Sequence, residues 1–343
     1  MVRRYRIGFI KGDGIGPEIM DVALDIINEF LNNVELIELK AGYEFYRKYG
    51  RPFEEGLIDK IRKLDAVIKG PLTTLPGPKG YRSINVYLRQ ALGLYANVRP
   101  FTSYRGISRD EFNFVIIREN TEGLYSGVEG RFKDLAFTLR IITKEASRRI
   151  CEFAFKYAID GGYKLVTAVH KANILKESDG LFREVFFEVS QRYEGVKAEE
   201  MFVDAAAYNL IKNPKRFQVI VTPNLYGDIL SDEAAGLVGS LGLCGSAQIG
   251  DDIAIFEPVH GSAPDIAGKG IANPIGQLTA LSLMTNYLGR RFNDSKMIAF
   301  SKKLSKAIRY VVEESKVLTP DLGGNSSTKE VSDEIKRKLQ ELL

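Results

Sequence analysis

Arg6-Ile7-Gly8-Phe9-Ile10-Lys11-Gly12-Asp13-Gly14-Ile15-Gly16-Pro17-Glu18-Ile19 is the stretch that decides the fold. The short apolar run from Arg6 to Ile10 ends in a glycine turn. A helical pattern follows, with Ile19, Val22, Ala23, Ile26 and Ile27 on one face. Pro17 suits the first helical turn, where its missing N–H has no intrahelical partner to lose. This strand–turn start has counterparts along the chain. Leu64 to Ile68 is a second buried-strand candidate and runs into Gly70-Pro71. Phe114 to Ile117 ends in Arg118-Glu119-Asn120, Lys164 to Val169 in His170-Lys171, and Phe217 to Val221 in Thr222-Pro223-Asn224. Helical patterns separate several of these, which predicts an α/β protein with a largely parallel sheet. Ligands of such sheets bind beyond the C-terminal strand ends, and polar residues follow each of these strands. The glycine turn reads G-x-G-x-G, not G-x-G-x-x-G, so the dinucleotide fingerprint is incomplete. A tight strand-to-helix turn is the better reading, and Glu35 or Glu38 is a poor candidate for a ribose-binding acid. Gly268-Lys269-Gly270 lacks the flanking residues of a P-loop.

The 343 residues correspond to about two domains. Lys plus Arg number 48 against 44 Asp plus Glu, a net charge of +4 that is too small to suggest nucleic acid as the main partner. Two cysteines, Cys151 and Cys244, and two histidines, His170 and His260, cannot by themselves build a disulfide framework or a zinc cluster. There is no Gly-x-Ser-x-Gly elbow to support a hydrolase reading. No apolar run approaches the roughly 18 residues of a membrane span, and the N-terminal run is too short for a signal-peptide core. No membrane partner is expected, and the cytoplasm is the expected compartment.

Ser126 to Thr143 differs from the rest of the chain. It alternates loosely, with Phe132, Leu135, Phe137, Leu139, Ile141 and Ile142. An extended arm or hairpin is predicted, either pairing with a second subunit or lying as an ordinary surface hairpin. No repeats or linker-like tracts occur, so the domains are expected to interleave.

Three stretches carry chemistry. The first is Tyr81-Arg82-Ser83-Ile84-Asn85-Val86-Tyr87-Leu88-Arg89, followed by Ala96-Asn97-Val98-Arg99-Pro100 and by Arg118 at a strand end. Arginines grouped this way suit a ligand with several carboxylates, which guanidinium binds bidentately without losing charge. The second is Asn224-Leu225-Tyr226-Gly227-Asp228-Ile229-Leu230-Ser231-Asp232. Spacing i, i+4 puts Asp228 and Asp232 on one helix face, where like charges repel by a few tenths of a kcal/mol unless a cation compensates. Asp204, after Met201-Phe202-Val203, could supply a third carboxylate. Oxygen ligands of this kind point to Mg²⁺ or Mn²⁺; the other reading is acidic residues complementing a helix dipole. The third is Phe256-Glu257-Pro258-Val259-His260-Gly261-Ser262-Ala263-Pro264-Asp265-Ile266-Ala267-Gly268, running to Ala272-Asn273-Pro274. Its backbone amides could cradle a nucleotide and Asp265 could accept ribose hydroxyls, or it could be a plain connection.

Together these stretches closely resemble the β-decarboxylating dehydrogenase family, which includes isocitrate, homoisocitrate and 3-isopropylmalate dehydrogenases. The resemblance runs from Gly12-Asp13-Gly14-Ile15-Gly16-Pro17-Glu18 to Gly324. It implies a two-domain α/β isocitrate/isopropylmalate dehydrogenase-like fold that is not a Rossmann fold. A large cofactor-binding domain would comprise 1–99 plus 253–343. A small domain, 100–252, would carry the dimer interface and an arm at about 126–143. The implied assembly is a homodimer with shared active sites, with a tetramer left open. The implied cofactors are NAD and Mg²⁺ or Mn²⁺, and the implied substrate is a small hydroxy-carboxylate. It would be oxidised at C2, and the resulting β-keto acid would lose CO₂.

The same resemblance implies residue roles. Arg89, Arg99 and Arg118 bind substrate carboxylates. Asp228 and Asp232, with Asp204 of the partner subunit, bind the metal. Lys171 exchanges the proton of the reacting hydroxyl, and Tyr125 protonates the carbon that loses CO₂. Thr73, Thr74, Asn173, Glu257, His260, Gly261, Ser262, Ala263, Asp265, Ile266 and Asn273 match cofactor-binding positions. Asp265 implies NAD, since a carboxylate there would repel a 2′-phosphate. Ser83 and Asn85 match the pocket for the substrate's variable substituent. Burying an isopropyl group against two polar groups without partners would cost about 1–3 kcal/mol each, so isocitrate and homoisocitrate rank together ahead of 3-isopropylmalate. Val86 and the stretch Thr73 to Gly80 could leave room for the longer homoisocitrate chain. Respiration and lysine-type amino-acid biosynthesis stay open as the pathway, and a non-catalytic dinucleotide- or carboxylate-binding protein is the alternative outside enzymes.

Overall fold

The structure is a computed structural model that describes residues 3–75, 77 and 81–343. Part of the Thr73 to Gly80 stretch, residues 76 and 78–80, lies outside the described residues. The main strands are β1 (Tyr5–Ile10), β2 (Val34–Glu38), β3 (Ala66–Lys69), β4 (Ala96–Thr102), β5 (Asn113–Glu119), β6 (Glu129–Phe132), β7 (Leu135–Thr138), β8 (Leu165–His170), β9 (Lys197–Phe202), β10 (Val219–Thr222), β11 (Gly245–Ile249) and β12 (Ala254–Pro258). The chain divides into two compact units. One comprises Met1–Leu92, Tyr104–Arg109 and Val238–Leu343; the other comprises Gly93–Ser103 and Asp110–Leu237.

In the first unit the strands run β2-β1-β3-β12-β11. β1 pairs parallel with β2 and β3, β3 pairs parallel with β12, and β11 returns antiparallel to β12. The helix Gly16–Phe30 has a proline in its first turn and buries Ile19, Met20, Val22, Ala23, Ile26 and Ile27, the face that the periodicity predicts. The glycine turn has a packing reason. Gly14 has φ +60°, and a Cβ there would lie 1.9 Å from the Ser262 carbonyl oxygen. Ile15 N donates to that same oxygen at 2.9 Å. The turn thus supports the loop after β12 from beneath.

In the second unit the order is β4-β5-β10-β8-β9, with β5, β10, β8 and β9 parallel and β4 antiparallel to β5. Val115, Ile116, Ile117, Val219, Ile220 and Val221 are fully buried. Strands buried on both faces read as continuous apolar runs, which is why β5 and β10 are visible in the sequence. Parallel pairing brings the C-terminal ends of β5, β8 and β10 to one edge, and with them Arg118, Lys171 and Asn224.

Ser126 to Thr143 forms a hairpin, β6 antiparallel to β7, as a separate two-stranded sheet. Phe132, Leu135, Phe137 and Leu139 on it are at least half exposed. Its base is clasped. Thr143 donates to Glu122 from both its backbone N and its hydroxyl, each at 2.9 Å. The same hydroxyl accepts from Ala146 N at 3.1 Å, capping the next helix. Burial, with Glu119 adding to it, pushes the Glu122 carboxyl up from 4.5 to about 7. The folded state therefore binds this proton more tightly than the unfolded chain. Stability from this group is present below the unfolded value and is lost as pH rises through about 7. Thermal unfolding of Glu122→Gln should show a shallower loss of stability between these two values than the parent protein. Superimposable pH profiles of the two would contradict this. Among the described residues no helix is long and apolar enough to cross a membrane.

Candidate active site

Two arginines and two aspartates meet in the second unit. Arg118, at the end of β5, is 1% exposed. Its Nε and Nη2 both donate to Asn224 Oδ1, at 3.0 and 2.7 Å, and its Nη1 pairs with Asp228. Gly227 makes this approach possible, because a Cβ there would lie 2.6 Å from Arg118 Cγ. Arg99, on β4, is buried as well. Its Nε donates to Asn97 Oδ1 at 3.2 Å and its Nη1 to Ser231 Oγ at 2.5 Å, with Asp228 at 3.5 Å and Asp232 at 4.0 Å. Asn97 lies directly across the strand pair from Arg118. Tyr125 OH donates to Asp228 Oδ2 at 2.5 Å, and the Arg118 guanidinium lies 5.1 Å from the Tyr125 ring centroid.

The helix Asn224–Val238 carries both aspartates. Desolvation holds the Asp232 carboxyl above its ordinary value; Asp228 adds to this, while Arg99 and Arg118 oppose it. A carboxylate pair one helical turn apart, partly open to solvent, is a hard-oxygen donor set that fits Mg²⁺ or Mn²⁺. Among the described residues no three of His, Cys, Asp and Glu gather within the chain as a metal-binding group. Asp204 instead pairs with Lys171.

Lys171 follows β8 and is held from below. Its backbone N donates to Asp179 Oδ2 at 2.7 Å, and Arg140 Nε donates to Asp179 Oδ1 at 2.9 Å. Asp179 is fully buried, so Arg140 supplies the charge that keeps it there. His170 is buried and accepts from Ala172 N at Nδ1, so its Nε2 carries the proton donated to Glu200. Burial lowers its basicity, with Glu200 opposing. His170 thus shapes the turn, while Lys171 stays partly exposed beside Asp204. Phe202, Tyr208, Ile211 and Ile174 are exposed apolar neighbours in the sequence around this pair. Asn173 is exposed too.

The loop after β12 belongs to the first unit. Thr73 Oγ1 and Ser262 Oγ lie 2.8 Å apart, and Thr73 N donates to Asp13 Oδ2 at 2.8 Å. Asp13 also accepts from Tyr43 N at 2.7 Å, so one buried carboxylate ties three segments together. Ile266 packs on Ile15, Ile19 and Ala272. Thr74, Gly261, Ala263 and Asp265 are exposed. Burial lowers the basicity of His260, whose Nδ1 donates to the Gly261 carbonyl at 2.9 Å. Its Nε2 is buried with no hydrogen-bond partner. Paired hydroxyls, an orphaned imidazole nitrogen and an exposed carboxylate fit a nucleotide with hydroxyl and amine groups to offer.

Several candidates have local duties that the sequence does not reveal. Ser83 caps the helix Ile84–Ala91, accepting from Val86 N at 3.5 Å. Asn273 accepts from Ile275 N at 3.0 Å at the start of the helix Ile275–Arg291 and donates to Asp321. Asn85 Oδ1 is buried with no partner. Asn97, Asn224 and Ser231 orient the arginines, a role that no local pattern marks although each lies close in sequence to an arginine or aspartate of the site. Arg89 lies in the first unit, bound to Gln248.

The family described as isocitrate/isopropylmalate dehydrogenase matches residues 6–335. The chain is 44% identical to a homoisocitrate dehydrogenase of Methanocaldococcus jannaschii, over 98% of this chain and 99% of the relative. It is 43% identical to a 3-isopropylmalate dehydrogenase of Methanothermobacter thermautotrophicus, over 99% of this chain and 100% of the relative. The crystal structure of isocitrate dehydrogenase from Methylococcus capsulatus matches with a TM-score of 0.92 at 42% identity, covering 98% of this chain and 99% of that one.

Proposed function

Because the chain belongs to the isocitrate/isopropylmalate dehydrogenase family of β-decarboxylating hydroxy acid dehydrogenases, we propose that it oxidises isocitrate, homoisocitrate or both. The cofactors are NAD and Mg²⁺ or Mn²⁺, and the products are CO₂ and the 2-oxo acid. The observation that carries this reading is the convergence of two buried guanidiniums, Arg99 and Arg118, on the Asp228–Asp232 pair. Guanidiniums held by Asn97, Ser231 and Asn224 are preorganised for carboxylates, so little side-chain entropy is lost when substrate binds.

Asp228 and Asp232, with Asp204 of the partner subunit, would hold the divalent cation, which would supply Lewis acidity toward the substrate hydroxyl and offset the negative charge left as CO₂ departs. Arg89, Arg99 and Arg118 bind carboxylates. Lys171 takes the hydroxyl proton, and NAD, when bound, would supply the acceptor for the C2 hydride. Tyr125 then delivers a proton to the carbon that has lost CO₂. Its hydroxyl is already aimed at this cluster through Asp228. Thr73, Thr74, Asn173, Glu257, His260, Ser262, Asp265 and Asn273, with the backbone of Gly261, Ala263 and Ile266, would hold NAD. The protein acts as a homodimer with shared sites. The exposed apolar hairpin and the exposed Lys171–Asp204 pair support that reading, because both need a surface to meet.

Asn85 supports a polar substituent on the substrate. A buried amide oxygen without a partner is a poor wall for an isopropyl group, whereas rotating the amide presents its NH₂ to a carboxylate. The cofactor half of the reading is tested by comparing NAD with NADP. Asp265 should hydrogen-bond the adenosine ribose hydroxyls and repel a 2′-phosphate. The preference for NAD in kcat/KM should be roughly tenfold or more, about 1.4 kcal/mol. A preference for NADP would sink it.

A further inference from the structure

Four buried side chains in the first unit form one continuous chain. Arg89, Gln248, Glu257 and Lys69 are 6%, 1%, 6% and 0% exposed. Arg89 Nε donates to Gln248 Oε1 at 2.7 Å. Gln248 Nε2 donates to one oxygen of Glu257, and Lys69 Nζ donates to the other. The strands explain the arrangement. β11 and β12 are antiparallel, with Ser246 opposite Glu257 and Gln248 opposite Ile255, so Gln248 and Glu257 are diagonal neighbours within reach of long side chains. β3 pairs with the other edge of β12, and Lys69 closes it.

The chemistry of this chain leaves one residue little choice. Position 248 faces a guanidinium at one end and a carboxylate at the other. A glutamine amide answers both, with its oxygen toward Arg89 and its nitrogen toward Glu257. A carboxylate there would face Glu257, and an ammonium would face Arg89. Fixing the guanidinium at Nε sets the plane of its fork, which decides where its terminal nitrogens point. Lys69 lies outside every candidate role above, yet it is the fully buried cation that balances Glu257. Burial lowers its basicity, and Glu257 opposes this.

We propose that Gln248 is a positioning residue that aims Arg89 at a substrate carboxylate, with Glu257 and Lys69 holding the far end of its amide in place. The proposal rests on the function stated above, in which Arg89 binds substrate and Glu257 binds cofactor. Gln248→Leu should raise KM for the preferred hydroxy acid by about tenfold, while kcat and the Kd for NAD move by less than about threefold. In an Arg89→Met background the same change should move KM by less than about twofold, because the residue acts through Arg89. Gln248→Glu is nearly isosteric and carries the test if the leucine variant fails to fold; its carboxylate would take up the Arg89 charge and raise KM as well. Equal effects of the 248 substitution with and without Arg89 would overturn the proposal. So would a lowered melting temperature with KM unmoved. A parent enzyme that reduces NAD with none of the hydroxy acids would overturn the underlying function, and this proposal with it; a parent that turns over normally while the variants keep its KM would overturn only this proposal.

Discussion

Asp228→Asn should lower kcat/KM by roughly a thousandfold or more, which corresponds to about 4 kcal/mol of transition-state stabilisation. Asp228 is the point where the site's groups converge: Arg118 and Tyr125 bind it directly and Arg99 lies 3.5 Å away. Asparagine keeps an oxygen that can accept from Arg118, so the guanidinium is not left wholly without an acceptor in the interior. What the substitution removes is the negative charge, and with it the attraction for a divalent cation. Circular dichroism should therefore remain that of the parent while turnover collapses. Excess chelator should abolish parental activity in the same way. Turnover within about tenfold of the parent, or turnover that persists in excess chelator, would contradict the metal role of the aspartate pair.

Mixing Lys171→Ala with Arg118→Ala should restore activity that neither variant has alone. Each single substitution removes a group that touches the reacting substrate, so each homodimer should be nearly inactive. If Lys171 serves the neighbouring subunit's site while Arg118 serves its own, a heterodimer contains one site with both residues intact. Random reassortment of equal amounts then gives about a quarter of parental activity. The pairing of Lys171 with Asp204 motivates this, since Asp204 is assigned to the neighbouring subunit's site and Lys171 lies against it on the same chain. The exposed Phe132, Leu135 and Phe137 of the hairpin motivate it as well. Full activity from a monomer, or no recovery after verified subunit exchange, would rule out shared sites.

Much of this arrangement is legible in the sequence, for identifiable physical reasons. Buried parallel strands announce themselves as apolar runs, so β1, β3, β5, β8 and β10 stand out. Edge strands do not: Val34–Glu38 and Lys197–Phe202 are partly exposed and charged, and neither carries an apolar run that marks a strand. The i, i+4 spacing places Asp228 and Asp232 together because helical geometry is local. The residues that orient the site are not local. Ser231 meets Arg99 across 132 positions and Gln248 meets Arg89 across 159, and no local pattern encodes such a meeting. Ser83 and Asn273 show the converse. A short polar side chain beside a helix start reads equally well as a ligand-binding group or as a local hydrogen-bond acceptor; Ser83 caps its helix and Asn273 accepts from Ile275 N. The glycine turn is legible as a tight strand-to-helix turn, but the Ser262 carbonyl that packs against Gly14 and shapes it is not.

Steady-state kinetics with isocitrate, homoisocitrate and 3-isopropylmalate, each with NAD and Mg²⁺ and each followed by NADH and CO₂ formation, test the proposed function most directly. The three acids share the malate core that the arginines and aspartates would hold, so differences in kcat/KM report the substituent pocket. With the Asn85 amide rotated to present its NH₂ to the substituent, isocitrate or homoisocitrate should exceed 3-isopropylmalate by roughly tenfold or more. The highest kcat/KM for 3-isopropylmalate would contradict that reading.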